Sequence, residues 1–91
     1  MYVRITRAHV PADALDAMRQ RIEESFIPAL KQLPGFQHYY GGVNAAMGTV
    51  VAISLWDTEE HAQAIQAQRG GFEALGVTFD PAEIYEVTAQ S

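Results

Sequence analysis

The chain predicts an α+β fold in which strands and helices follow the order β-α-β-β-α-β. Three observations carry this. Residues 2–9, 36–43, 49–56 and 83–89 are short runs that include β-branched and aromatic residues and are bounded by turn signals. Between the first two runs lies a long stretch with apolar residues at three- and four-residue steps, the period of a helix. Between the last two lies a shorter stretch that opens on helix-capping residues.

The elements follow in order. Tyr2 to His9 reads as a strand with Val3, Ile5 and Arg7 on one face and Tyr2, Arg4 and Thr6 on the other. Val10-Pro11-Ala12-Asp13 turns into a helix expected from about Ala12 to Leu33, with Leu15, Met18, Ile22, Phe26, Leu30 and Leu33 along its apolar stripe. Pro28 removes a backbone donor and crowds the Glu24 carbonyl, so a kink or break is expected near Ser25. Pro34-Gly35 stops the helix.

Phe36 to Val43 is the second strand, with Phe36, His38 and Tyr40 expected on one face and Gln37 and Tyr39 on the other. Gly41-Gly42 marks a bulge or the strand's end. After a loop from Asn44 to Gly48, Thr49 to Trp56 is the strongest strand. Its two faces are Val51, Ile53, Leu55 and Val50, Ala52, Ser54, Trp56. Asp57 or Thr58 caps the second helix, and with Asp57 as cap Glu60 completes a capping-box-like pair. This helix should reach about Arg69 and end at Gly70-Gly71. A short turn over Phe72 to Leu75, a bend at Asp80-Pro81 and a strand from Glu83 to Ala89 complete the chain.

Composition bounds the function. Ninety-one residues make one domain, here taken as 1–91, and 48% hydrophobic with 19% charged residues is ordinary globular usage. A formal charge of −5 and scattered basic residues argue against nucleic acid as a partner. No apolar run approaches the ~20 residues of a membrane span. Absence of cysteine removes disulfides, thiol chemistry and thiolate metal sites, and the cytoplasm is the expected compartment.

The order of elements is the ferredoxin-like one: an antiparallel sheet with both helices on one face. A sheet covered on one side should alternate apolar and polar residues. The third strand has apolar or small residues on both faces, and the second has aromatic residues on both. The open face is therefore expected to be covered by a second copy, making a homodimer.

Leu33-Pro34-Gly35-Phe36 opening the second strand, and a strand ending in Trp56-Asp57 before a helix, resemble the dimeric α+β barrel proteins, specifically the antibiotic-biosynthesis-monooxygenase-like group. The resemblance spans nearly the whole chain on short motifs. It implies a pocket between sheet and helices with Trp56 in its wall. The family includes cofactor-independent oxygenases of polycyclic phenols, quinone-related oxygenases and haem-degrading enzymes. Haem-degrading members carry a helix histidine about ten residues after the tryptophan, where this chain has Gln66. They also carry an asparagine in the first strand, where this chain has none. Haem is accordingly disfavoured.

The candidate site residues are weighed against ordinary packing. Trp56 reads as a pocket wall or as core, and Ser54 and Ala52 share its face. His61, early in the second helix, is the first candidate base and His38 the second; either is otherwise a surface or packing residue. Tyr40 beside His38, and His9 at the end of the first strand, are further pocket candidates. At most one of Arg4 and Arg7, on opposite strand faces, can enter a given pocket to hold an anionic group. The three histidines lack metal-ligand spacing, so no metal and no other cofactor is expected. The resulting expectation is a metal-free monooxygenase-like homodimer acting on a small aromatic or quinone-type molecule. The alternative is a non-catalytic binding or interaction dimer of the same fold.

Overall fold

The computed structural model describes residues 1–68 and 71–91. The expected end of the second helix at Arg69 and Gly70 lies outside the described residues. An antiparallel sheet is formed by β1 (Tyr2–His9), β2 (Phe36–Asn44), β3 (Thr49–Trp56), β4 (Thr78–Phe79) and β5 (Glu83–Glu86). The strands lie in the order β2-β3-β1, and β4 and β5 both pair with the free side of β1. The expected last strand is thus shorter, ending at Glu86 rather than Ala89, and an additional two-residue strand precedes it. Pro81 lies in the gap between them and has no amide to give to β1; Asp80 still donates to the Arg7 carbonyl at 2.8 Å.

The first helix, α1 (residues 12–30), does not break. Its register widens to a π-helical turn over Ile22–Phe26, where the Ile27 amide reaches back to the Ile22 carbonyl. A wider turn is the local answer to Pro28, which cannot donate and would otherwise crowd the Glu24 carbonyl. The helix ends at Leu30, short of the expected Leu33, and tighter turn bonds carry the chain on, Gln32 to Ala29 and Leu33 to Leu30.

The second helix, α2 (residues 59–68), is α-helical over Glu59–Gln63 and tightens to a 3-10 turn over Ala64–Gln68. Thr58 caps it, accepting a hydrogen bond from the His61 amide at 3.1 Å. The expected Asp57–Glu60 box does not form, because Asp57 turns instead to the His61 ring.

Register decides which side chains meet. Tyr2, Arg4, Thr6 and Ala8 pair with Trp56, Ser54, Ala52 and Val50, as the period-two reading requires. The second strand departs from it. An irregularity between Phe36 and His38 leaves Gln37 as an extra residue, so Phe36 pairs with Trp56 while His38 pairs with Leu55. Phe36, Tyr39, Gly41 and Val43 therefore face the helices, and His38 and Tyr40 face away. The expectation that Phe36, His38 and Tyr40 share a face is corrected: one extra residue moves all that follow to the opposite side.

The core lies between sheet and helices. Ala8, Met18, Phe26, Leu30, Trp56, Ala62 and Ile65 are buried there, joined by Phe72 and Val77. The other face of the sheet carries Val3, Ile5, Val51, Ile53 and Leu55, all partly exposed, beside exposed His38, Tyr40 and Tyr85. No described helix is long and apolar enough to cross a membrane.

Candidate functional site

A cavity of about 420 Å³ opens between α1 and the helix-facing side of β1, β2 and β3. Three cross-strand rows lie beneath it, and all their members but Ser54 line it. Gly41 on β2, Ala52 on β3 and Thr6 on β1 are in register and form a row of small residues. On one side the next row is Tyr39, Ser54 and Arg4; on the other it is Val43, Val50 and Ala8. The cavity exists because the middle row has little side chain to fill the space beneath α1. Met18, Ile22 and Phe26 form the roof, and Arg19 and Glu23, exposed on α1, stand at the rim.

The polar groups come from the two strands that flank β3. Arg4 lines the cavity although only 2% of it is exposed. Its Nη1 donates to the Ala62 carbonyl at 3.1 Å and Nη2 to Gln66 Oε1 at 3.3 Å, so α2 holds the guanidinium in place. Tyr39 leans edge-on against Phe26, with ring centres 5.7 Å apart. Burial pushes its phenol up to about 12, so at neutral pH it is a hydrogen-bond donor. Thr6 adds a buried hydroxyl.

The residues singled out in the sequence fall at separate places and not in one site. Trp56 is fully buried, stands edge-on to Phe36 at 5.4 Å, and donates from Nε1 to Ser54 Oγ at 2.8 Å. Each of these two satisfies the other's polar atom, and neither lines the cavity. The alternative reading of Trp56 as core is the one that matches this placement. His61 Nδ1 lies 2.6 Å from Asp57 Oδ1 at the start of α2, away from the cavity lining. This hydrogen bond to His61 holds the Asp57 carboxyl below its ordinary range. Gly35 sits beneath the pair in the left-handed conformation at φ +79°, and a Cβ there would collide with both Asp57 and His61. The pair and the Gly35 carbonyl, which accepts from the Asp57 amide at 3.0 Å, staple the Leu33–Phe36 turn to α2.

His38 stacks on Tyr40 at 6.4 Å on the outer face, where the extra residue in β2 sends it. Tyr40 also meets the cavity wall at the sheet's edge. His9 is exposed and lies 3.3 Å from Asp80. No histidine is among the described residues lining the cavity, and no group of three or more His, Asp or Glu among the described residues is placed to hold a metal ion.

The sequence reading missed Thr6, Tyr39 and Gly41 as cavity residues. One signal was present. Arg4 and Thr6 alternate with Val3 and Ile5, and a strand that turns its polar residues toward the helices marks a place where the interior is not simply core.

No protein-family model matches the chain, and no curated protein does. Solved structures do. A putative antibiotic biosynthesis monooxygenase from Deinococcus radiodurans superposes with a TM-score of 0.79 at 16% identity, over 100% of this chain and 96% of that one. The haem-degrader MhuD from Mycobacterium tuberculosis, solved with two haems in its active site, gives 0.75 at 22% identity over 100% and 99%. SnoaB, a cofactor-independent oxygenase from Streptomyces nogalater, gives 0.68 at 15% identity over 98% and 94%. The chain shares the ferredoxin-like fold of these structures.

Proposed function

We propose, starting from that shared fold, that the protein is a monooxygenase-like enzyme that takes a flat aromatic or quinone-type molecule into the cavity beneath α1 and oxidises it with dioxygen, without a metal. The observation that carries the reading is a 420 Å³ cavity with an apolar roof and a buried guanidinium, Arg4, in its wall. Cavities of this kind, mostly apolar with a few convergent polar groups, are the usual form of a small-molecule site.

The chemistry follows from the groups present. An activated ring CH₂ loses a proton, and the resulting carbanion, delocalised onto a ring oxygen, adds dioxygen at carbon. Protonation gives a hydroperoxide, and loss of water leaves a new carbonyl, so one oxygen atom enters the product and the other leaves as water. Arg4 supplies positive charge where the anion develops. Tyr39, protonated at neutral pH, donates a hydrogen bond to the substrate from the β2 side. Glu23 at the rim is the carboxylate among the described lining residues and takes the first proton. His61 and His38 are not assigned this step, since neither lines the cavity. The water-poor interior keeps the anion reactive.

The apolar outer face supports a homodimer packed sheet to sheet. Val3, Ile5, Val51, Ile53 and Leu55 there would otherwise remain in water.

Haem, present in the MhuD structure, is the disfavoured ligand in this reading. The position where haem-degrading relatives were expected to carry a ligand histidine is Gln66, whose amide oxygen is held by Arg4. A second reading is a non-catalytic binding protein, favoured by the absence of histidine from the described lining and the rim position of Glu23. Oxygen uptake with anthrone- and naphthol-type compounds, in the presence of a chelator, separates the two. The oxygenase reading expects saturable uptake that falls at least about tenfold in Arg4→Met. Saturable binding with no uptake from any compound supports the binding protein instead.

A further inference from the structure

Two hydroxyl-bearing residues line the cavity from its outer strands, Thr6 on β1 and Tyr39 on β2, and neither side chain has a hydrogen bond among the described residues. Thr6 is only 8% exposed, lines the cavity, and sits at the β1 end of the small-residue row. Tyr39 belongs to the neighbouring row, but its ring leans along β2 over Gly41. A Cβ built on Gly41 would lie 3.6 Å from the Tyr39 Oη and 3.5 Å from its Cε1. Both hydroxyls therefore stand at the level of Gly41, Ala52 and Thr6, one at each end of a floor two strand spacings wide.

That width has a chemical meaning. Neighbouring strands lie about 4.8 Å apart, so the two ends are separated by roughly 10 Å. A ring carrying oxygens on opposite sides spans roughly 5 Å from oxygen to oxygen, and a hydrogen bond at each end adds up to about 2.8 Å. The donors that grip such a ring must therefore be roughly 8 to 11 Å apart, the lower figure for bent geometry. A ring with one oxygen reaches one of the two hydroxyls and leaves the other unpaired. Between the ends, Ala52 keeps the floor low, Gly41 leaves room for the Tyr39 ring to lean in, and Met18 and Ile22 cover the space from α1.

We infer that Thr6 and Tyr39 are the two polar anchors of this cavity, gripping the opposite oxygens of a flat ring laid over Ala52 between them. The inference rests on the cavity being the ligand site of the reading above, and it sets the tightest ligand as a ring oxygenated at both ends, the state that the new carbonyl of that reaction creates. The hydroxyls act by binding and orientation, so they are specificity-determining groups.

The test is calorimetric binding under anaerobic conditions, which removes any dependence on turnover. The probes are 1,4-naphthoquinone, 1-tetralone and naphthalene, and absence of cysteine removes thiol addition to the quinone. The wild-type protein should bind them in that order of falling affinity. Tyr39→Phe and Thr6→Val keep the shape of each side chain. Each should weaken the quinone about 3- to 10-fold and leave naphthalene unchanged. The double variant should bind quinone no better than tetralone is bound by the wild type. Gly41→Val, which raises the floor, should weaken all three. Circular dichroism confirms that each variant is folded. Equal affinity of the wild type for all three probes, an unchanged quinone-to-naphthalene ratio in both hydroxyl variants, or binding of none of the probes overturns the inference. The oxygenase reading is judged separately by oxygen uptake. Anchors that persist without uptake leave this inference standing and the reading refuted.

Discussion

Trp56→Phe tests whether the tryptophan is a structural post rather than a wall of the site. Trp56 is fully buried and its Nε1 meets Ser54 Oγ at 2.8 Å, with Ser54 itself 2% exposed. Replacing indole by phenyl has two costs. The lost ring volume, on the order of 40 Å³, costs about 1 kcal/mol at ~24 cal/mol per Å³ if the site does not collapse. The Ser54 hydroxyl, left without its donor in the interior, costs about 1–3 kcal/mol more. The sum, about 2–4 kcal/mol, lowers the Tm of a domain this size by at least ~8 °C. Urea denaturation followed by circular dichroism measures it, since the variant has no tryptophan to follow. Ser54→Ala strands the indole N–H instead and should cost about 1–3 kcal/mol. With both partners gone nothing is stranded, so the double variant should cost less than the two singles added. Affinity for cavity ligands should stay within about threefold of the wild type in Trp56→Phe, because the residue is outside the lining. A cost below ~1 kcal/mol, strict additivity of the two substitutions, or a large loss of ligand affinity would refute this reasoning.

Other consequences follow from the same geometry. Asp57→Asn removes a carboxylate whose folded-state pKa is depressed by its hydrogen bond to His61. A depressed carboxyl stabilises the fold above its unfolded pKa of about 4 and loses that contribution as pH falls through the folded value, so the wild-type advantage over Asp57→Asn should be full at pH 6 and shrink below about pH 4. Gly35→Ala should destabilise markedly in thermal melts, because it combines a left-handed backbone with a collision against Asp57 and His61. Ile53→Lys, on the outer face, should turn the proposed homodimer into a monomer in sedimentation equilibrium while sparing the sheet's internal face.

The sequence conveys more of the frame than of the site. The alternation in Tyr2–His9 and Thr49–Trp56 assigns the faces of β1 and β3 correctly, because both strands are regular along their length. Phe36–Asn44 defeats the same rule. Nothing in Gln37 distinguishes it as an extra residue, and the slip sends His38 and Tyr40 to the outer face while bringing Tyr39 and Gly41 in. Pro28 is a true signal of disturbance in the first helix, but a widened turn satisfies the backbone without a break. The proximity of His61 to Trp56 in sequence is a property of the chain rather than of the site. At the start of α2 the imidazole is captured by Asp57, one turn earlier, and held over Gly35. The cavity itself is the hardest feature to read. It depends on Gly41, Ala52 and Thr6 falling into one row, and those positions are far apart in the chain.

The central claim is that ligands enter between α1 and the sheet. Amide chemical-shift mapping by NMR with saturating 1,4-naphthoquinone tests this most directly. The account predicts the largest shifts at Thr6, Ala8, Gly41, Gly42 and Ala52 on the floor and at Met18 and Ile22 above it, with Asp57, Thr58 and His61 unmoved. Shifts confined to the Asp57–His61 turn, or to Val3, Ile53 and Leu55 on the outer face, would contradict it.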